Sequence, residues 1–128
     1  MDNFNLASTN TTPSVFLDTT RGILEFAGES YPENAVQFYQ GVQQKLEAYL
    51  EESRDPLTVN FKLEYFNTST SKCLLDLLEC LERSHQKGKT ITVNWYYAEE
   101  DEDMHDSGVD YSLEIKLPFN LIAFKPKA

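Results

Sequence analysis

Four consecutive hydroxyl side chains, Thr68 to Ser71, form the densest group of residues that could accept a chemical modification. Apolar residues alternate with polar ones before the cluster and recur every three or four positions after it, so we expect the cluster at a helix start. Serine and threonine are common there as caps for unpaired N–H groups, without any regulatory role. A phosphate would be stabilised there by the same N–H groups and by the helix dipole. The cluster is therefore either a helix cap or a phosphorylation site.

Enzymatic chemistry has little support in the sequence. Motifs for phosphate cradles, dinucleotide binding, serine nucleophiles and zinc proteases are all absent from the chain. The two histidines are His85, near the end of a predicted helix where a cation interacts well with the dipole, and His105, among carboxylates. We predict no catalytic residue, no cofactor and no enzymatic activity.

Metal binding is also not predicted. The acidic run Glu99 to Asp103 supplies oxygen atoms that suit calcium or magnesium, but it lacks the ligand alternation and central glycine of an EF-hand loop. It is either a solvated segment or a surface that meets a basic patch on a protein partner. Cys73 and Cys80 would lie about 10.5 Å apart along one helix, too far for a disulfide. We expect both cysteines in the core.

The rival interpretation is an enzyme or a small-molecule or metal-binding domain. It would use an aromatic pocket with nearby carboxylates, formed by Tyr65, Trp95, Tyr96 and Tyr97. Aromatic residues that alternate along strands more often pack in the core or on the surface, so this interpretation is second.

Apolar spacing predicts the elements that position these residues. In chain order they are a hairpin of Val15–Leu17 and Ile23–Phe26, a helix capped by Ser30 and Glu33, an alternating strand Leu57–Tyr65, a helix carrying Cys73 to Leu81, an alternating strand Thr90–Tyr97, a short helix Met104–Ser112 and a strand Pro118–Phe124. Strands covered by helices on both faces are usually apolar throughout, whereas the two interior strands alternate. We therefore predict an α/β (α+β) domain with a mixed sheet and helices mainly on one face.

Length and composition limit the number of domains and the kinds of partner. The chain has 128 residues, enough for one domain, over residues 13–124, with a loosely ordered segment at 1–12 and a tail at 125–128. Its net charge of −10 argues against nucleic acid and anionic membranes as partners. No apolar run approaches the about 20 residues of a membrane span, and no signal peptide is evident, so we expect a cytoplasmic protein.

The segment Leu63–Lys72, with the sequence LEYFNTSTSK, resembles the SiaC family of bacterial regulatory phosphoproteins. Further matching segments are Thr12–Pro13, Ser30–Asn34, Trp95–Tyr97 and Glu102–Met104. The resemblance extends over nearly the whole chain, and its most specific part is the Asn-Thr-Ser block after the Leu-x-Tyr strand. It implies a fold similar to that of anti-sigma-factor antagonist (STAS) domains.

The resemblance also implies a phosphorylation switch at Thr68, the threonine of the Asn-Thr-Ser block. A Ser/Thr protein kinase would add the phosphate and a PP2C-type phosphatase would remove it. The unphosphorylated form would bind a diguanylate cyclase and promote cyclic di-GMP synthesis, which links the family to biofilm formation. The partner-binding residues would be Asn67, Thr68, Ser69, Ser71 and Lys72. Family members often have a run of serines after the threonine, whereas this chain has Thr70 there, so Thr70 is a second candidate.

Overall fold

The computed structural model describes residues 1–126, so the last two residues of the predicted tail, Lys127 and Ala128, lie outside the described residues. The elements are β1 (Phe4–Leu6), β2 (Ser14–Asp18), β3 (Ile23–Ser30), α1 (Ala35–Glu52), β4 (Leu57–Phe66), α2 (Thr68–Gln86), β5 (Ile91–Ala98), α3 (Glu102–Glu114) and β6 (Phe119–Phe124). The six strands form one sheet in sequence order. Strands β1 to β3 pair antiparallel, and β3 to β6 pair parallel. The carboxyl ends of the four parallel strands therefore meet at one edge, which we call the carboxyl edge, and their other ends meet at the amino edge.

The predicted hairpin is confirmed, because β2 and β3 pair from Ser14 opposite Ala27 to Asp18 opposite Ile23. The segment predicted to be loosely ordered, residues 1–12, contains the short strand β1, which pairs antiparallel with β2. Periodicity could not reveal β1, because a strand of three residues is too short to show alternation.

The three helices cover one face of the sheet, as predicted. Alternate residues of β4 and β5, such as Val59 and Val93, are buried in the core with the apolar stripes of α1 and α2. Helix α3 lies on the same face, because the Trp95 indole N–H donates to the carbonyl of Met104 at 3.0 Å. The opposite face is polar. Across it, Asn120 donates to Asn94, and Asn94 donates to Asn60, each at 3.0 Å.

The first helix begins later than the sequence predicts. Asn34 is its N-cap, and the Asn34 side chain accepts a hydrogen bond from the backbone N–H of Gln37 at 3.1 Å. The predicted cap, Ser30, is instead the last residue of β3 and is fully buried. Asparagine is as effective a cap as serine, so local spacing did not distinguish the two positions.

The acidic run contributes to the start of α3, which begins two residues before the predicted Met104. Asp101 is the N-cap, and its side chain accepts a hydrogen bond from the Met104 N–H at 2.9 Å. Glu102 and Asp103 lie in the first turn, where negative charge stabilises the positive end of the helix dipole. Three of the five acidic residues therefore have a local structural role.

A β-bulge changes the alternation at the end of β4. Gly28 of β3 pairs with Leu63, but the next residue, Glu29, pairs with Tyr65, so Glu64 is an extra residue in β4. The bulge directs Phe66 toward the core, where its ring lies edge-on to Trp95 at 6.0 Å. The predicted alternation of Leu57–Tyr65 would bury Tyr65 with Leu63, but the Tyr65 side chain is 51% exposed, so the prediction is wrong at this residue.

Candidate functional site

The hydroxyl cluster forms the first turn of α2, at the carboxyl edge. Thr68 is the first helical residue and is exposed. Asn67 is the N-cap, and its side-chain oxygen accepts a hydrogen bond from the Thr70 N–H at 3.0 Å. The helix-cap interpretation of the cluster therefore applies to Asn67 and not to any of the four hydroxyl residues, which releases the Thr68 hydroxyl from that role.

The backbone around Thr68 is held by local hydrogen bonds. The Ser71 N–H donates to the carbonyl of Asn67 at 3.0 Å, and the Ser71 hydroxyl donates to the carbonyl of Thr68 at 2.7 Å. Among the described residues, the N–H groups of Thr68 and Ser69 have no acceptor outside the helix. These are two of the unpaired donors that every helix start presents, and they are available to an anion on Thr68.

Thr70 differs sharply from Thr68, because its side chain is 0% exposed. The Thr70 hydroxyl donates to the carbonyl of Ser30 at 3.1 Å and lies 2.9 Å from the Ser30 hydroxyl. The Ser30 hydroxyl in turn lies 2.7 Å from the phenolic oxygen of Tyr39 on α1. Burial raises the pKa of Tyr39 to about 12, although its hydrogen bond with Ser30 opposes the shift. The alcohol of Thr70 is thus enclosed by three elements.

Helix α3 also contacts this turn. The Tyr111 hydroxyl donates to the carbonyl of Ser71 at 2.8 Å. Burial raises the pKa of Tyr111 well above its usual range, so this phenol stays a neutral donor. From β3, the carbonyl of Ser30 accepts the N–H of Asn67 at 3.1 Å. The first turn of α2 is therefore held directly by β3 and α3, and through Ser30 by α1. Periodicity alone gave no sign of these contacts.

The predicted partner-binding residues separate into two groups. Thr68, Ser69 and Lys72 are exposed, and Lys72 lies one helical turn after Thr68. The side chains of Asn67 and Ser71 are half-buried and make the hydrogen bonds described above. The exposed three could contact a partner directly, whereas the other two hold the turn in shape.

Two tyrosines that the sequence did not predict as site residues extend this surface. Tyr31 follows β3 and Tyr65 lies near the end of β4, and their rings form an edge-on pair with centroids 6.0 Å apart. Both are unusually exposed, Tyr31 by 38% and Tyr65 by 51%. Because Tyr65 is three residues before Thr68, their Cα atoms are within about 11 Å of one another. An exposed aromatic pair next to the hydroxyl is typical of a protein-binding surface.

Several acidic residues share the carboxyl edge with Thr68. Glu33, Glu64, Glu99 and Glu100 are all exposed in or beside the segments that follow β3, β4 and β5 at the carboxyl edge. Because α2 itself has no acidic residue in its first turn, the nearest charge along the helix is the Lys72 ammonium. A phosphate on Thr68 would add to an already acidic edge.

The rival aromatic pocket does not form. Trp95 is fully buried, and its N–H is already bonded to Met104. Tyr96 lies on the opposite face of the sheet, with the Lys62 ammonium 5.0 Å from its ring centre. No group of three or more His, Cys, Asp or Glu side chains suited to a metal ion occurs in the part of the chain that the structure describes. Within residues 1–126, no helix has the length and apolar character of a membrane span.

The chain thus combines a one-sided mixed sheet with an exposed hydroxyl at a helix start. The comparison with known families agrees: the model of the SiaC family of regulatory phosphoproteins matches residues 6–124. This chain belongs to the SiaC family. An uncharacterised protein of Pseudomonas aeruginosa (strain UCBPP-PA14) is 30% identical over 123 residues, which cover 96% of this chain and 98% of that protein.

Solved structures of SiaC from Pseudomonas aeruginosa have the same fold. The chain matches apo-SiaC with a TM-score of 0.89 and 29% identity, covering 96% of this chain and 100% of the other. It also matches a chain in the complex of the diguanylate cyclase SiaD with its activator SiaC, with a TM-score of 0.90 and 30% identity, covering 94% and 99%. The recognised family and the mixed α/β fold are thereby confirmed.

Proposed function

We propose that this chain is a non-enzymatic, cytoplasmic signalling adaptor that is switched by phosphorylation of Thr68. A partner Ser/Thr kinase adds the phosphate and a PP2C-type phosphatase removes it. The unphosphorylated form binds and activates a diguanylate cyclase, and the phosphorylated form does not. The observation that carries the proposal is the contrast between Thr68, which is exposed on a fixed turn, and Thr70, which is 0% exposed.

The choice of Thr68 rests on access to the hydroxyl. A kinase must bring the hydroxyl oxygen to within bonding distance of the phosphoryl donor, which the exposed side chain of Thr68 permits. The same reaction at Thr70 would require the first turn of α2 to separate from Ser30. Because the turn is held on several sides, we expect the kinase to bind the folded domain rather than an extended peptide.

The phosphate would act at the surface and leave the domain folded. Its charge of about −1.5 to −2 would lie at a helix start, where it is stabilised by the dipole, and Lys72 lies one turn away. A partner that contacts Thr68, Ser69 and the tyrosine pair would have to remove water from that charge, and any acidic group of the partner would be repelled by it. Both effects weaken binding. Loss of binding therefore needs no unfolding of α2.

The cyclase as output partner rests on the family and on the complex of SiaD with SiaC. The chain superimposes on a chain of that complex over 94% of its length. An adaptor needs a docking surface, and the exposed aromatic pair of Tyr31 and Tyr65 suits that role.

The phosphorylation site is tested by incubating the protein with its kinase and mapping phosphopeptides. We expect phosphate on Thr68, its loss in Thr68→Ala, and unchanged incorporation in Thr70→Val and Ser69→Ala. A peptide spanning residues 60–80 should be a much poorer substrate than the folded chain. Phosphate found only on Thr70 would reject the assignment.

The switch is tested by the affinity for the cyclase and by the rate of cyclic di-GMP synthesis. Thr68→Ala should bind and activate like the wild type, whereas Thr68→Asp should weaken both by about tenfold or more, a change of about 1.4 kcal/mol. The matched control Ser69→Asp adds the same charge one residue away and should have a smaller effect. Equal affinity of the Thr68→Ala and Thr68→Asp variants would argue against the switch.

A further inference from the structure

A cleft lies between the ends of α1 and α2 at the amino edge, away from Thr68. Its volume is about 460 Å³. Cys80 and Arg83 line it, 12 and 15 residues after Thr68 on α2, which is about 18 and 22 Å along the helix. The cleft is thus a separate surface from the proposed phosphorylation site.

Four cationic side chains line the cleft: Arg54, Arg83, Lys87 and Lys89. They are four of the 11 lysines and arginines in a chain with 21 acidic residues, so this is a strong local concentration of positive charge. Two acidic residues, Glu47 and Glu51, also line the cleft, which leaves the lining with a positive excess.

These cations are largely unneutralised. Among the described residues, the ion pairs within 4.0 Å involve the amino terminus, Lys62 and His105, and none involves Arg54, Arg83 or Lys87. The helix dipoles of α1 and α2 explain why cations are stable at these helix ends. Glu47 and Glu51 offset part of this charge, and the remaining excess would attract an anionic group of a partner.

The interior of the cleft differs from its rim. Lys89 is half-buried, its ammonium donates to the carbonyl of Ser53 at 2.6 Å, and it lies 5.1 Å from the ring centre of Tyr49. Burial lowers the pKa of Lys89, although the nearby charge of Asp55 opposes the shift. Leu50 and Cys80 add apolar surface. The lining is mainly polar with an excess of cations, which suits carboxylates of a peptide, and Leu50 offers a small apolar contact beside them.

The cleft also continues into a second groove. This groove, of about 490 Å³, lies between α1 and α2 and shares Glu47 and Arg83 with the cleft. It extends toward the carboxyl edge as far as Val36, whose side chain is 59% exposed. Asp76 and Glu79 also line this groove, so an acidic occupant is confined to the cleft at the amino edge.

We propose that this cleft is a second docking site, which binds an acidic segment of a partner protein. Carboxylates of the segment would contact Arg54, Arg83 and Lys87, and its apolar side chains would lie over Leu50. The site is independent of the state of Thr68, so it goes beyond the phosphorylation switch and does not depend on it.

The test uses the full chain and a short fluorescein-labelled peptide rich in Asp, Glu and Leu, with a matched peptide that carries Asn and Gln instead. Binding is followed by fluorescence anisotropy. Arg54→Gln with Lys87→Gln removes two charges from the rim, and both side chains are exposed, so the fold should be retained. Lys116→Gln with Lys125→Gln removes the same charge from exposed positions outside the cleft.

We expect the acidic peptide to bind the wild type, and the cleft variant to bind it about tenfold more weakly. The control variant should change binding less than twofold, and the neutral peptide should not bind. Affinity should fall as salt is raised, since the rim charges are exposed. Support also comes from equal peptide binding by Thr68→Asp and Thr68→Ala, which separates this site from the switch.

Three outcomes would overturn the proposal. An equal loss in both variants would mean that the peptide responds only to overall charge. Binding of inorganic tripolyphosphate without binding of the peptide would assign the cleft to a phosphate ligand. Oligomers in sedimentation velocity that disappear only in the cleft variant would mean that the occupant is the acidic edge of a second copy of this chain.

Discussion

The hydroxyl of Thr70 lies 2.9 Å from the hydroxyl of Ser30, although the two residues are 40 positions apart in the chain. Tyr39 lies 2.7 Å beyond Ser30, and the carbonyl of Ser30 accepts from Thr70. If Tyr39 donates to Ser30, and Ser30 to Thr70, each buried hydroxyl proton is used once. The end of β3 thus fixes the first turn of α2, which presents Thr68. The role of Thr70 is to hold this turn in place, and it is not the hydroxyl that we propose is phosphorylated.

Thr70→Val keeps the side-chain shape but removes the hydroxyl. It should lower the free energy of unfolding by about 1–2 kcal/mol, because the buried Ser30 hydroxyl loses the acceptor for its proton, although its oxygen still accepts from Tyr39. Chemical denaturation measures this change. Ser69→Ala, at an exposed position of the same turn, should stay within about 0.5 kcal/mol of the wild type. Equal stability of the two variants would mean that the buried hydroxyls add nothing.

A negative charge on Thr68 should stabilise the domain. In Thr68→Asp the carboxylate lies in the first turn of α2, where interaction with the helix dipole contributes about 0.3–1 kcal/mol at low salt. The matched control Gln86→Asp places the same charge at the last residue of α2 and should destabilise. Thermal melts at two salt concentrations measure both changes, which should shrink as salt rises. A drop in stability for Thr68→Asp would contradict a switch that leaves the fold intact.

The alternating strands, the helix stripes and the one-sided architecture follow from the spacing of apolar residues, and these were predicted correctly. The errors lie where a tertiary contact or an irregularity overrides local spacing. Ser30 has the spacing of a helix cap, but a partner 40 residues away, Thr70, uses its hydroxyl. Tyr65 continues the alternation of β4, but the bulge at Glu64 turns it outward. Neither event leaves a periodic signal in one sequence.

The same limit applies to the candidate site. Its hydroxyl residues were identifiable, because Thr68 lies in a distinctive Asn-Thr-Ser block at a helix start. The residues that support it, Tyr39 and Tyr111, resemble ordinary members of helix stripes until the three-dimensional contacts are known. Which threonine is accessible also depends on packing, since Thr68 and Thr70 are two residues apart on the same turn.

Gly108 marks the closest approach of α3 to the sheet. A Cβ at this position would lie 2.5 Å from Cδ1 of Trp95 and 2.6 Å from Leu121. Gly108→Ala should therefore destabilise the domain by about 1–3 kcal/mol. Gly41→Ala is the control, because a Cβ there meets no atom within 4 Å on helix α1, and it should stabilise by up to about 1 kcal/mol. Denaturation midpoints should move in opposite directions.

The raised pKa of Tyr39 predicts how the free energy of unfolding changes at alkaline pH. Its pKa is raised to about 12 by burial, so the folded state keeps the phenol neutral when the unfolded chain already ionises near its usual pKa of 10.0. This contribution is complete below pH 10 and is lost between pH 10 and 12, at up to about 1.4 kcal/mol per pH unit. In Tyr39→Phe the free energy of unfolding should fall less steeply between pH 10 and 12. Ionisation of Tyr111 should account for part of the fall that remains. Parallel stability curves for the variant and the wild type would refute this assignment.

The exposed pair of Tyr31 and Tyr65 gives the sharpest test of where the proposed output partner docks. Buried tyrosines at the centre of an interface often contribute more than 1 kcal/mol, so Tyr65→Ser should weaken cyclase binding about tenfold. The stability of the Tyr65→Ser variant should differ little from that of the wild type, because half of the Tyr65 side chain is already in solvent. Leu113→Ser is the control: this side chain is 82% exposed on α3, and its loss should leave binding unchanged. If both substitutions weaken binding equally, the docking surface extends well beyond the turn that carries Thr68. If only Leu113→Ser weakens it, the partner binds α3, and a phosphate on Thr68 cannot act by direct contact.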